Sequence, residues 1–275
     1  MSTRTKHTGV FGPTRAHIDA ATLRTDRWWI PPLVTFVLFS AFVIYSTIRA
    51  FSGSDYYAKP YLSPFYSPCL GDCVEGASDF GQPFGWFPLS AALIILIFPL
   101  GFRLTCYYYR KSYYRAFWLS PPACAVAEPH VKYTGETRFP LILQNLHRYF
   151  WYAAIVIGCV LTFDVFLAFR PMPGEYALGD GETSGIHMGL GTLLMIVNVV
   201  LIWLYTLSCH SCRHAVGGRL RHFSKHPVRY KLWTLVSKLN VNHGRYAWAS
   251  LFSVALVDLY VYLVASGAIQ DVRFF

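Results

Sequence analysis

Cysteine and histidine side chains recur at the ends of apolar segments in this chain. The set of six comprises Cys106, His147, Cys209, His210, Cys212 and His243. Thiolate and imidazole are the ligands that zinc, haem iron and iron–sulfur clusters take in proteins. Ionisable groups at the depth of a membrane are costly and are kept mainly where they bind something or relay protons. The set therefore predicts a metal centre, and with it a redox protein.

Five apolar stretches would position these residues. They cover approximately 29–50, 86–105, 149–169, 188–208 and 246–267. Each is close to the ~20 residues that a helix needs to cross the hydrocarbon core of a bilayer. We predict an all-α polytopic membrane protein, a bundle of five transmembrane helices, with no internal repeat. A basic arm (1–28) precedes the anchor domain (29–268), and a short outer tail (269–275) follows it.

Lysine and arginine are concentrated in alternate connections of the predicted bundle. The arm, the second connection and the fourth connection are basic, whereas the first and third are mainly acidic. The positive-inside rule then places the N-terminus and the six metal-binding candidates on the cytoplasmic side of the cell inner membrane. The formal net charge of +10 follows from this topology and requires no nucleic acid. Within 228–239, apolar and basic residues recur at helical spacing, which predicts a cytoplasmic interfacial helix that lies on membrane lipid or docks on a soluble partner.

The cysteines outside the set of six predict simpler roles. Cys69 and Cys73 lie four residues apart in the first outer connection, where an oxidising compartment permits a disulfide. Free thiols or a metal site are the alternatives there. Cys159 lies inside the third apolar stretch, where a free cysteine behaves as a small packing residue.

Three kinds of metal centre are compatible with the predicted ligands. A Rieske-type [2Fe-2S] cluster takes two thiolates and two imidazoles. The ends of the second, third, fourth and fifth spans would each supply one of these ligands: Cys106, His147, Cys209 and His243. The paired loops of ordinary Rieske proteins are absent, so this set is argued from topology. A haem b held by the two histidines and a structural zinc are the alternatives. The reserve ligands are Cys124, His210, Cys212 and His214.

Several segments resemble one known family. They are, in order, CYYYRKSYYRAFW, SPPACAVAEP, FPLILQNLHRYF, CHSCRHAVGGRLRHF and DLYVYLVASG. Together they are similar to the five-helix membrane-anchor subunit of bacterial succinate dehydrogenase (respiratory complex II), particularly its actinobacterial form, over about 28–268. The resemblance implies a chain that holds a flavoprotein subunit and an iron–sulfur subunit to the membrane and passes their electrons to quinone. It also implies a Rieske-type cluster in place of haem, because the chain lacks the two histidine pairs of dihaem anchors.

The resemblance directs attention to groups that could serve a quinone. Quinone reduction needs an apolar slot and a proton donor. We predict Asp258 as the donor, with helix packing as its alternative role, and Asp164 and Tyr205 as further quinone-binding candidates. Arg110 and Arg148 are predicted at the cytoplasmic face, near the cofactors, where they would dock an acidic partner.

Two further classes were weighed against this interpretation. One is a transporter, which would show repeat symmetry and helix breaks near mid-membrane; the other is a structural anchor with zinc and no redox role. Within the redox interpretation, a haem b anchor of succinate dehydrogenase or fumarate reductase is the alternative. Pro99 is the only proline well inside a predicted span. The chain shows neither a dinucleotide fingerprint nor a ferredoxin-type cysteine run, so succinate oxidation is expected on the soluble partners.

Overall fold

The structure is a computed structural model that describes residues 22–70, 90–129, 137–139, 141–169 and 188–274. The described residues are mainly helical, which confirms the predicted fold class. The helices are α1 (Ile30–Ser52), α2 (Ala92–Ile95), α3 (Ile97–Leu104), α4 (Tyr107–Tyr113), α5 (His147–Leu167), α6 (Leu190–Leu207), α7 (His210–Gly217), α8 (Pro227–Asn240) and α9 (His243–Ala265). A π-helical turn (Tyr114–Trp118) follows α4, and short 3-10 helices occupy Leu141–Leu146 and Phe223–Lys225.

Four of these helices are long and apolar enough to cross a membrane. They are α1, α5 with its preceding 3-10 turn, α6 and α9. The second predicted span (86–105) is described from residue 90, and its helices α2 and α3 end at Leu104, close to the predicted end. After a bend of 81°, α4 and the π-helical turn follow. The described part of the chain therefore holds five spans if this bent pair counts as one. The chain is embedded in the membrane through these helices.

The bundle is organised around α6, which packs against both α5 and α9, while α5 also packs against α3. The largest buried cluster lies where α3 and α6 end, and it includes Cys106 and Cys209. Close approach of α3 to α5 depends on Gly101, because a Cβ atom there would overlap the Phe150 ring. Cys159 was wrongly predicted as a packing residue: it is exposed on α5.

The basic end of the bundle, at which Cys106 and Cys209 lie, also carries residues 22–28 and α8. Of the predicted arm, only 22–28 is described, and Thr22 Oγ1 donates to the carbonyl of Ala125 at 2.7 Å. The helix predicted over 228–239 is confirmed as α8. Arg229 holds it against α7 by donating to the carbonyls of Val216 (2.7 Å) and Gly218 (3.0 Å).

The opposite end of the bundle is closed by a short hairpin of β1 (Tyr57–Ala58) and β2 (Tyr61–Leu62), which pair antiparallel. The predicted outer tail packs onto this end: Asp271 accepts hydrogen bonds from Tyr61 (2.6 Å) and Tyr260 (2.5 Å). Cys69 is disulfide-bonded, while Cys73, its expected partner, lies outside the described residues.

Candidate metal centre

Two cysteines and two histidines come together where four helix ends meet. Cys106 Sγ lies 3.5 Å from His243 Nε2, and Cys209 Sγ lies 3.1 Å from His147 Nε2. The two thiols are close enough to interact electrostatically, and so are the two imidazoles. The structure therefore brings all four first-choice ligands of the sequence analysis into one site.

Each cysteine occupies a break between two helices. Cys106 follows α3 and precedes α4 with φ −69° and ψ 131°, and Cys209 follows α6 and precedes α7 with φ −65° and ψ 146°. The extended backbone at both positions interrupts the helical path, and each cysteine is the N-cap residue of the helix that follows. Both thiols are buried, with exposed fractions of 2% and 1% respectively.

Hydroxyl groups set the tautomer of both histidines. Thr105 Oγ1 lies 2.9 Å from His147 Nδ1 and donates its own proton to a carbonyl of its helix at 2.7 Å. Ser208 Oγ lies 2.7 Å from His243 Nδ1 and likewise donates to a carbonyl of its helix, at 3.1 Å. When each hydroxyl gives its one proton to the helix carbonyl, Nδ1 of each histidine is the donor of the contact with it. Both Nε2 atoms then carry a free lone pair, which is the form that binds metal, and both face a thiol.

The two halves of the site are built by similar pentapeptides, FRLTC at the end of α3 and YTLSC at the end of α6. Phe102, the first residue of FRLTC, stacks on His147, the histidine that Thr105 of the same pentapeptide contacts. Tyr205, the first residue of YTLSC, likewise stacks on His243, which Ser208 contacts. The rings of Phe102 and His147 are 5.1 Å apart and inclined by 9°, and those of Tyr205 and His243 are 5.0 Å apart and inclined by 16°. A local repeat therefore exists that the sequence analysis did not detect.

The cysteines cross between the two halves. Cys106 is part of FRLTC, which holds His147, but its thiol contacts His243. Cys209 is part of YTLSC, which holds His243, but its thiol contacts His147. This exchange interlocks α3 with α6 through their ligands. Sequence reasoning missed the role of Thr105 and Ser208, although a hydroxyl residue directly before each cysteine was a visible signal.

Burial keeps the thiols of the site in their neutral form. Desolvation raises the pKa of Cys209 to about 12, and it also raises the pKa of Cys212. Partial burial, together with Arg213, lowers the pKa of the neighbouring His210. A metal that binds Cys209 must therefore displace its proton.

The reserve ligands stand further from the centre. The His210 ring lies 6.3 Å from that of His243, and Cys212 is buried in the surrounding cluster. Cys124 and His214 are exposed, and no hydrogen bond joins them to the four ligands in the described structure. Among the described residues, no three Cys, His, Asp or Glu side chains converge on a point that one metal ion could occupy.

An apolar cavity of about 300 Å³ lies beside the site. Phe102 and Tyr205, which stack on the two histidines, also line this cavity. It extends from there to Phe65 near the hairpin, with walls from α1, α2, α3, α5 and α6. Three hydroxyls border the cavity without a hydrogen-bond partner among the described residues: those of Ser46, Tyr205 and Thr206. The Tyr205 hydroxyl nevertheless lies near the Cys106 thiol.

Arg103 is a cavity-lining cation that the sequence analysis missed. Its guanidinium donates to Tyr109 Oη at 2.6 Å and to Ser250 Oγ at 3.2 Å, and it lies 5.1 Å from the centroid of the Tyr205 ring. No carboxylate of the described residues pairs with it. A charged residue within a predicted span was the signal that could have identified it.

Asp258, the predicted proton donor, lies at the opposite end of the bundle. It is fully buried and accepts hydrogen bonds from Arg49 at 2.9 and 3.3 Å, from Tyr45 at 2.5 Å and from Ser63. It follows His243 by fifteen positions on α9, a distance of about 22 Å along the axis. Asp258 does not line the cavity, and this placement favours the packing alternative, in which its carboxylate ties α1 to α9.

The other predicted cofactor-binding residues are dispersed. Asp164 is buried on α5, where Ser67 donates to it, and it does not line the cavity. Arg148 directly follows His147 and is exposed. Arg110 lies on α4 with its guanidinium 5.4 Å from the centroid of the Tyr107 ring. Tyr205 is the one member of this group that the structure places at both the cavity and the four candidate ligands.

Comparisons with known proteins agree with this architecture. The chain is similar to a chain of the Mycobacterium smegmatis Sdh1 complex in the apo form, with 58% identity, a TM-score of 0.84, and coverage of 98% of this chain and 99% of that one. A comparison with curated proteins gives no match. The model of the family described as actinobacterial succinate dehydrogenase subunit SdhC matches residues 30–267. The chain therefore belongs to the family of actinobacterial SdhC membrane subunits of succinate dehydrogenase.

Proposed function

We propose that this chain is the quinone-reducing anchor subunit of succinate dehydrogenase and that it holds a Rieske-type [2Fe-2S] cluster. The observation that carries the proposal is the crossed pair of Cys–His contacts, in which both imidazole Nε2 lone pairs face a buried thiol. The proposed ligands are Cys106, His147, Cys209 and His243. When bound, such a cluster would supply one-electron transfer between a soluble donor and quinone.

The donor set fits this cluster better than its alternatives. Two thiols and two imidazoles match the ligand count of a Rieske-type centre, and hydrogen bonds to Thr105 and Ser208 hold both imidazoles in the binding tautomer. A single zinc ion is disfavoured because no three candidate ligands converge among the described residues. A bis-histidine haem is disfavoured because each Nε2 atom faces a cysteine sulfur 3.1 to 3.5 Å away, and haem would leave both thiols without a role.

The cavity beside the centre is the proposed quinone slot. Its lining is mainly apolar and its few polar groups lie close to the histidines, as expected for a site that orients a lipophilic ring. Arg103 can donate a hydrogen bond to a quinone oxygen, and the Tyr205 hydroxyl can donate a hydrogen bond or a proton. We therefore transfer the proposed proton-donor role from Asp258 to Tyr205.

The basic end of the bundle is the proposed docking face for the soluble subunits. The similar chain from Mycobacterium smegmatis belongs to the Sdh1 complex, and we infer that the partners here are a flavoprotein subunit and an iron–sulfur subunit. Arg110 and Arg148 lie at this end, and α8 presents further exposed cations, among them Lys231 and Lys238. The positive-inside rule assigns this end, and the N-terminus, to the cytoplasmic side of the inner membrane.

The test is a ligand replacement in the purified complex. Cys106→Ser with Cys209→Ser should abolish the electron paramagnetic resonance signal of the centre and remove its two irons, because thiolates bind iron far better than hydroxyls. His147→Ala with His243→Ala should do the same.

Cys159→Ser is the matched control, since that thiol is exposed on α5 away from the site. An unchanged signal and iron content in both double variants would refute the ligand assignment. If the wild-type complex shows a haem absorption band and the histidine substitutions remove it, the cofactor of this site is haem b and not an iron–sulfur cluster.

A further inference from the structure

A second cavity, of about 810 Å³, opens at the basic end of the bundle. It lies between the arm, the start of α1, α4, the segment after the π-helical turn and the start of α9. The cations that line it are Arg24, Arg27, Lys111, Arg115 and Arg245, and Asp26 is the one carboxylate in its lining. This cavity is separate from the proposed metal centre and from the proposed quinone slot.

The positive charge of this cavity is mostly uncompensated. Arg24 already pairs with Asp26, its Nε donating at 2.7 Å, and also donates to the carbonyl of Cys124 at 2.8 Å. The other four cations form no ion pair within the described part of the chain. Several arginines and lysines around one concave site are the usual recognition pattern for a phosphate group.

Beside the polar side chains of Thr35, Tyr108 and Ser112, the rest of the cavity lining forms an apolar wall. Trp28 and Trp248 belong to it, and tryptophan is favoured at the headgroup level of a bilayer. Pro31 and Pro32, in the first turn of α1, continue this wall. Two turns beyond Pro31, on the same side of α1, Leu38 has an exposed fraction of 40%. The site thus combines a cationic mouth with an apolar surface that runs into the membrane.

We infer that this cavity binds the phosphate headgroup of an anionic phospholipid, whose acyl chains lie along the exposed face of α1. Arg27, Lys111, Arg115 and Arg245 contact the phosphate, and the two tryptophans border the glycerol region. An acidic segment of a partner protein would match the cations but would leave the apolar wall and the adjoining face of α1 uncovered. Basic pockets between transmembrane helices are the form that such lipid sites take.

The first experiment measures lipid retention by the purified complex in nanodiscs of phosphatidylcholine that contain a minor fraction of phosphatidylglycerol. Native mass spectrometry should find phosphatidylglycerol enriched on the wild-type complex. Lys111→Gln with Arg115→Gln should weaken its retention roughly 10-fold, since each cation near the membrane surface contributes to binding an anionic headgroup. Arg221→Gln with Lys225→Gln is the control, because it removes one arginine and one lysine from the same end of the bundle outside the cavity.

The second experiment needs no variant, because Cys124 is an exposed thiol in the cavity lining. Alkylation of Cys124 by an uncharged maleimide, followed by peptide mass spectrometry, should be slower in nanodiscs with phosphatidylglycerol than in pure phosphatidylcholine. Glutathione added to the same nanodisc suspensions reports the general effect of the lipid on the reagent, and its alkylation should not change.

Three results would overturn the inference. Equal phosphatidylglycerol retention by the two charge-removed variants, or equal Cys124 alkylation in both nanodiscs, would show that the cavity does not select the lipid. Protection of Cys124 by inorganic phosphate in pure phosphatidylcholine, to the same extent as by phosphatidylglycerol, would assign the cavity to free phosphate. Loss of the soluble subunits from the Lys111 and Arg115 variant with lipid retention unchanged would assign it to protein docking.

Discussion

The ring of Tyr205 stacks on the imidazole of His243, with centroids 5.0 Å apart and planes inclined by 16°. The same tyrosine lines the apolar cavity beside the site. One side chain thus touches both the proposed metal ligand and the proposed quinone slot. A substitution that removes only its hydroxyl can therefore be compared with one that also removes its ring.

Tyr205→Phe tests the hydroxyl while it keeps the stacked ring. The variant should retain the electron paramagnetic resonance signal of the centre and its reduction by succinate, but should turn over quinone roughly 100-fold more slowly, the low end for loss of a general acid. Steady-state quinone reduction and the spectrum of the succinate-reduced complex measure the two effects. Tyr152→Phe, on the exposed face of α5, is the control, and normal quinone turnover in the Tyr205 variant would contradict the proposed donor.

Thr105→Val and Ser208→Ala test the groups that orient the histidines. Each change removes the acceptor of an imidazole Nδ1–H and leaves all four proposed ligands in place. Loss of such a supporting hydrogen bond typically lowers metal affinity about 10- to 100-fold, so both variants should lose iron faster to a chelator. Ser266→Ala, at the far end of the bundle, is the comparison. Chelator kinetics equal to those of the wild type would mean that the hydroxyls serve only packing.

Arg103→Met removes the cation between the centre and the cavity. The KM for quinone should rise about 10-fold, as expected for one lost hydrogen bond to a bound ligand, and the midpoint potential of the centre should fall because a nearby positive charge favours the reduced form. Arg103→Lys should restore the potential more fully than the KM, since it keeps the charge but loses the planar donor geometry. A KM and a potential that both stay unchanged in Arg103→Met would remove Arg103 from the proposed site.

Asp258→Asn distinguishes packing from proton donation. The change leaves Arg49 buried without its anion, which typically costs about 3–5 kcal/mol of stability. The melting temperature of the complex should therefore fall, and Asp258→Leu combined with Arg49→Met should recover much of the loss. A proton donor would behave differently, because the double variant would stay stable yet reduce quinone slowly. That outcome would return the donor role to Asp258.

The positions of the spans and the identity of the metal-binding candidates follow from local patterns. Runs of apolar residues report membrane burial, and the distribution of lysine and arginine reports which helix ends share a side of the membrane, without knowledge of any contact. These patterns were sufficient to place Cys106, His147, Cys209 and His243 at one end of the bundle, where the structure brings them together. Hydropathy also indicates where the second span ends, but it does not register the 81° angle at which α4 leaves that end.

Tertiary structure decided the contacts between helices. Arg49 is the partner of Asp258 across 209 residues of sequence, and the crossed Cys–His pairs join residues 137 and 62 positions apart. The periodicity of one helix shows which of its faces is buried but not which neighbour covers that face, since this depends on how all the helices pack at once. The sequence alone indicated that Asp258, a carboxylate inside a predicted span, has a structural or functional role. Only the packing of α1 against α9 showed that its partner is Arg49.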